Sequence, residues 1–106
     1  MPDDPNTADT LGWVLYRRGV PSAAIGYLKE AAAGTRPGDA NLGLIRYHLA
    51  LAYNASGDKT NCKETAQQAL ADHQAYTTAQ KAAGAAGVSD PEWMADARTM
   101  VEHCSQ

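Results

Sequence analysis

Few residues in this chain stand where covalent or metal chemistry needs them. His48, His73 and His103 are far apart in sequence and fall on different predicted helices, where packing or a wet surface is the expected role. A zinc site built from Cys62, His103 and Cys104 needs four placed ligands, or three and a water, and adjacent residues on a helix point apart. Ser89 has neither a histidine nor a glycine elbow beside it, so nothing activates its hydroxyl. Glu64, Asp72, Glu92, Asp96 and Glu102 read as wet helix faces. The run Gly84-Ala85-Ala86-Gly87 has no lysine after it and no strand before it, which is not how a phosphate loop is built. No catalytic, metal-binding or cofactor-binding set emerges, and the chain is not expected to be an enzyme. Recognition through a surface is the chemistry left.

Such a surface needs helices to carry it. The 106 residues suffice for one small domain, 1–106. Alanine fills 21 positions and there is no Phe, a balance that favours helix over strand. Nine basic residues stand against twelve acidic ones, for a net charge of −3, without the basic surplus of a nucleic-acid binder. The longest apolar run, Leu49 to Tyr53, is too short to span a membrane. Glycines Gly19, Gly34, Gly57 and the pair Gly84/Gly87 follow apolar-periodic stretches, where helices end in a left-handed residue. Pro21 and Pro91 stand where helices begin. Ser89 and Glu92 read as a capping box. The pattern predicts helices at about 7–18, 21–33, 40–56, 59–72 and 90–104. The stretch 73–86 is helical by composition and either extends the fourth helix or stands alone.

The halves of the chain match. Leu11-Gly12-Trp13-Val14-Leu15-Tyr16-Arg17-Arg18-Gly19 aligns with Leu49-Ala50-Leu51-Ala52-Tyr53-Asn54-Ala55-Ser56-Gly57 at an offset of 38, and Ala24, Leu28 and Ala31 align with Cys62, Ala66 and Ala69. Buried faces are expected at Leu11, Val14 and Leu15, at Ala24, Leu28 and Ala31, at Leu49, Ala50 and Tyr53, and at Cys62, Ala66 and Ala69. Gly12 and Ala50 are expected at the crossings of paired helices, where small residues let backbones approach.

A period near 34 built of helix–turn–helix units marks the tetratricopeptide repeat (TPR). Over residues 5–72 the chain resembles a TPR protein, with Leu11, Gly12, Leu15, Gly19, Ala24, Leu28, Ala31 and Pro37 in one repeat and Leu49, Ala50, Tyr53, Gly57, Ala66 and Ala69 in the next. The four extra residues fit a longer loop around Thr35-Arg36-Pro37-Gly38-Asp39. Cys62 replaces a usual alanine, and Ala66 a usual large residue. The resemblance implies an all-α fold: two TPR-like helix-turn-helix hairpins plus a C-terminal capping helix, a short right-handed α-solenoid. Residues 73–106 form the extension and cap, with the stripe Trp93, Ala97, Met100, Val101 and Cys104 buried opposite Glu92, Asp96, Arg98 and Glu102. Pro2-Asp3-Asp4-Pro5-Asn6 looks like the end of a preceding repeat. The strings Asp9–Gly19 and Ile45–Ala52 resemble the last repeats of large bacterial TPR proteins, including those of exosortase and exopolysaccharide systems.

In TPR superhelices the first helix of each pair lines the inner groove. The resemblance therefore implies a groove of Asn6, Asp9, Trp13, Tyr16 and Arg17 from the first repeat and Leu44, Tyr47, Leu51 and Asn54 from the second. Aromatics beside an arginine are the composition of interface anchors. The competing expectation is that Trp13 and Tyr16 pack against a preceding repeat or against Tyr47. Lys29, Lys59, Lys63 and Lys81 lie off the inner helices, which argues against the carboxylate-clamp ligand of chaperone-tail-binding TPRs. The expected function is a non-catalytic protein–protein interaction module holding a peptide or partner domain in the groove. The alternative is a structural C-terminal segment of a longer array, packed on upstream repeats of the same chain, with the partner site upstream. No nucleic acid and no direct membrane insertion are expected.

Two cysteines without CxxC spacing do not make a disulfide scaffold. If 59–84 is one helix and the chain turns back near residue 87, residue 104 falls beside residue 70, about 12 Å along the helix from Cys62. If 73–86 is a separate helix, Cys104 falls at the opposite end from Cys62. Both arrangements leave the cysteines unbonded, because a disulfide needs α-carbons within about 7 Å. A turn near residue 80 is the exception that brings them closer. The opening Met1-Pro2-Asp3-Asp4-Pro5 lacks a signal peptide's apolar core, and periplasmic and cytoplasmic bacterial settings both stay open.

Overall fold

A computed structural model describes residues 4–86 and 89–106. Its elements are α1 (Pro5–Arg17), α2 (Pro21–Ala33), α3 (Leu42–Ala55), α4 (Lys59–Ala82) and α5 (Glu92–Cys104), with no strand among the described residues. Each helix packs on the next in chain order, and α3 also touches α1 and α5. The result is a flat body of 41 × 40 × 18 Å.

Local chemistry explains the ends. Asp4 caps α1 by accepting the Asn6 amide at 3.0 Å, and Asp58 caps α4 by accepting the Asn61 amide at 3.1 Å. Pro21 opens α2, where its missing N–H costs nothing. The turns repeat as the halves do. Gly19 and Gly57 take φ of 81° and 86°, and the following amides, Val20 and Asp58, each donate to the carbonyl five residues back at 2.9 Å. Gly84 and Ala85 close α4 the same way. This is the Schellman end, which needs a residue free to enter the left-handed region. Gly34 is different. Its φ is −86°, and the left-handed glycine of the long loop is Gly38. Gly87 lies outside the described residues.

Burial follows the repeat, with one rotated face. Ala24, Leu28 and Ala31 of α2 and Cys62, Ala66 and Ala69 of α4 are all fully buried. In α1 the buried residues are Ala8 and Gly12, while Leu11 and Val14 are each 41% exposed, contrary to expectation. The cause is close approach: a Cβ on Gly12 would lie 2.6 Å from Leu28 Cγ, so the small face of α1 meets α2 and the larger aliphatics turn outward. Ala50, Gly12's counterpart, is fully buried. Helix α3 is central and buries Leu42, Gly43, Ile45, Leu49, Ala50 and Ala52.

The last third decides one open alternative and brings two corrections. Residues 73–82 continue α4 instead of forming a separate helix. Helix α5 has Pro91 at its N-cap with no side-chain cap, so Ser89 lies too far upstream to close the expected capping box. Cys62 and Cys104 form a disulfide, with α-carbons 6.1 Å apart. The expectation failed on where α5 begins. The Trp93 ring sits edge-on to His73, 5.6 Å away, so α5 starts beside the middle of α4 and not beside its end. Eleven residues then separate His73 from Cys62 along α4, and eleven separate Trp93 from Cys104 along α5. Two antiparallel helices of equal rise bring the cysteines level. In α5, Met94, Ala97 and Cys104 are buried, whereas Trp93, Met100 and Val101 are half-buried.

Candidate functional site

Helices α1, α3 and α5 lie side by side, and their side chains form one continuous aromatic row. Tyr16 stacks on Trp13 with ring centres 5.3 Å apart, and Trp13 stacks on His48 at 4.1 Å. His48 neighbours Tyr47 on α3, and Tyr47 stacks on Trp93 of α5 at 5.8 Å. The row ends where Trp93 meets His73 of α4. Tyr16, Trp13, His48, Tyr47 and Trp93 are each half-buried, so every ring has covered and open surface.

Polar groups fix this row. His48 Nδ1 donates to Asp9 Oδ1 at 2.9 Å, tying α3 to α1. Arg17 lies over the Trp13 ring at 5.8 Å, so a cation, an indole and an imidazole stack in sequence. Burial raises the Tyr47 pKa, and the carboxylate of Asp96 and then Tyr16 add to the rise. The Tyr47 hydroxyl therefore keeps its proton at neutral pH and remains a hydrogen-bond donor. Beside it, Tyr47, Asn54, Asp96, Thr99, Met100 and His103 line a hollow of about 370 Å³ between α3 and α5. Lys59 joins two of these residues, donating to Asn54 Oδ1 at 3.2 Å and to His103 Nε2 at 2.9 Å. Behind α3, Arg46 donates to both oxygens of Asp72 on α4, at 2.9 and 2.7 Å.

The residues expected in the groove divide. Asp9, Trp13, Tyr16, Arg17 and Tyr47 are joined in or beside the row, and Asn54 stands at the α3–α5 hollow. Asn6 is elsewhere: it lines a separate hollow with Pro5, Gly34 and Arg36 at the start of α1. Leu44 and Leu51 are half-buried on α3. Tyr16 also packs against the core of Ala24, Leu28, Leu49 and Ala52, so it serves the fold and the row together. Sequence reasoning missed His48 and the whole contribution of α5: Trp93, Asp96, Met100 and His103. His48 lies one turn before Leu51, the repeat counterpart of Trp13. No sequence signal placed it, because the one-turn stagger of α1 against α3 that sets it on Trp13 is a tertiary feature.

The arrangement offers ring faces, a phenol donor, two carboxylates and a guanidinium along one shallow trough. Among the described residues no group of three or more His, Cys, Asp or Glu side chains is placed to hold a metal ion. Searches against family models, curated proteins and solved structures find no match to this chain.

Proposed function

We propose that this chain is a TPR-like interaction module, a short right-handed α-solenoid that holds a peptide or partner domain along α1, α3 and α5 and does no chemistry on it. The carrying observation is the aromatic row, continuous across three helices and half-open along its length. Large half-buried aromatics flanked by arginine are how interfaces concentrate their binding energy. The repeated helix ends at Gly19 and Gly57, 38 residues apart, support the repeat reading. The partner is a protein or peptide and not nucleic acid, given the net charge of −3. No helix among the described residues is long and apolar enough to cross a membrane. The buried Cys62–Cys104 disulfide favours the periplasmic over the cytoplasmic setting, because disulfides persist in oxidising compartments.

Selection of a displayed peptide library on the whole chain tests this reading. Peptides that bind wild type and lose binding to Trp13→Ala and Tyr47→Ala, at unchanged melting temperature, support it. Selected peptides indifferent to both substitutions overturn it.

A second reading has its own observation. Leu11 and Val14 are exposed along one side of α1, where a preceding hairpin would cover them. On that reading the chain is a structural terminal segment of a longer array, and the partner site lies upstream.

A further inference from the structure

The cleft between α4 and α5 shares only His73 with the end of the aromatic row, and no residue of α3 lines it. At its base lies His73, only 7% exposed. Its Nε2 is buried and has no hydrogen-bond partner. A buried polar atom left unpaired costs free energy, and each such atom in a folded protein calls for an explanation. The nearest polar group is a carboxylate of the same chain: Asp90 Oδ1 stands 3.6 Å from His73 Nε2, and Asp90 Oδ2 stands 3.7 Å from Arg98 Nη2. Both distances exceed hydrogen-bond length. Asp90 thus lies within ion-pair range of both His73 and Arg98 and hydrogen-bonds neither. The next residue, Pro91, is the N-cap of α5 with φ −70° and ψ 160°, and its ring restricts the backbone of Asp90. Leu70 and Met94 supply apolar walls, and the cleft measures about 320 Å³.

We propose that this cleft binds a small carboxylic acid, whose carboxylate bridges His73 Nε2 and Arg98 and whose short apolar body lies against Leu70 and Met94, with Asp90 as the tethered group it displaces. A free carboxylate lacks the tether and closes the remaining distance to two charge-assisted hydrogen bonds. Asp90 is 57% exposed, so a rotamer that leaves the cleft carries its carboxylate into water. The site differs from the trough in place and in ligand, so it stands whether or not the trough binds a peptide.

Butyrate, titrated into the whole oxidised chain, is the probe. Binding is read from the His73 ring resonances and from the indole signal of Trp93, which sits edge-on to His73. Asp90→Ala removes the competing carboxylate and should tighten butyrate by about tenfold or more, the worth of one charge-assisted hydrogen bond. Arg98→Gln in that background should abolish the gain, and butanamide, of the same shape without the charge, should not bind. A tripeptide free acid that binds more tightly than butyrate, and whose amide does not, assigns the carboxylate to a chain terminus and keeps the site. Equal butyrate affinity in wild type and Asp90→Ala overturns the proposal. So does butanamide binding as well as butyrate, or a response away from His73 and Trp93.

Discussion

The two hairpins share a design and differ in what closes them. In α1–α2 the crossing is a glycine facing a leucine: Leu28 fills the space that Gly12 leaves open. In α3–α4 the corresponding residues are Ala50 and Ala66, both fully buried and both small. The second hairpin finds its bulk elsewhere. The Trp93 ring of α5 lies over Gly43, and the Cys62–Cys104 disulfide ties the far end of α5 to the start of α4. The first hairpin has no such cover, and Leu11 and Val14 of α1 remain exposed. Identical helix ends can therefore serve one hairpin that is filled from within and another that is filled from a helix beyond it.

Removing that helix is the most severe test of the contrast. Ending the chain after Ala86 deletes the buried Met94, Ala97 and Cys104 and the half-buried Trp93. Each large side chain is worth roughly 1.5–3 kcal/mol, a loss so small a core cannot sustain. The fragment should show no cooperative thermal transition by circular dichroism. A transition near the wild-type temperature would make α5 an appendage and erase the difference between the hairpins.

Opening the disulfide comes next. It closes a sequence separation of 42 residues, for which chain entropy predicts about 4 kcal/mol. Cys62→Ala with Cys104→Ala should lower denaturant stability by about that amount, with hydrogen exchange rising first in α5. Counting thiols under denaturing conditions should find none before reduction and two after.

The crossings give a smaller, graded effect. Gly12→Leu overpacks the α1–α2 contact and should cost about 1–3 kcal/mol, partly recovered by Leu28→Ala because the two sites share one space. Alanine sharpens the comparison. At Gly12 its Cβ meets the Leu28 side chain, which can shift. At Gly43 it meets the Ala69 carbonyl oxygen at 3.0 Å as well as the Trp93 ring at 2.8 Å. Gly43→Ala should therefore lower the melting temperature more than Gly12→Ala.

The smallest effect is in pH, and it takes opposite signs within α4. Hydrogen bonds from the Asn61 side chain and amide hold the Asp58 carboxyl below its ordinary value. Its contribution to stability is present above the unfolded value, about 3.9, and is lost as pH falls through the lowered one. Burial raises the Asp72 carboxyl more than Arg46 lowers it. Its contribution is full below the unfolded value and is lost as pH rises through the raised one. In melts from about pH 3 to about pH 7, wild type should gain on Asp58→Ala as pH rises and lose ground to Asp72→Asn. Parallel slopes for the two pairs would break this assignment.

The local grammar was legible in the residues themselves. The helices, the starts at Pro21 and Lys59, the glycine ends at Gly19 and Gly57, and the small buried stripes of α2 and α4 all depend on neighbours within a turn or two, so spacing and residue type suffice. Asp9, Trp13, Tyr16, Arg17 and Tyr47, grouped from the matching halves, stand in or beside one aromatic row. Other features belong to the tertiary structure alone. Residue type had placed Gly12 at the crossing, but that Leu11 and Val14 then turn outward depended on how closely Gly12 meets Leu28 across the hairpin. His48 joined the aromatic row through the stagger of α1 and α3, which brings it onto Trp13 from 35 residues away in sequence. The disulfide, the contribution of α5 to the trough and the unpartnered His73 share one cause: where along α4 the returning helix begins. A connection of several residues can set that start at many heights, and tertiary contacts, among them Trp93 on Gly43 and His73, select one.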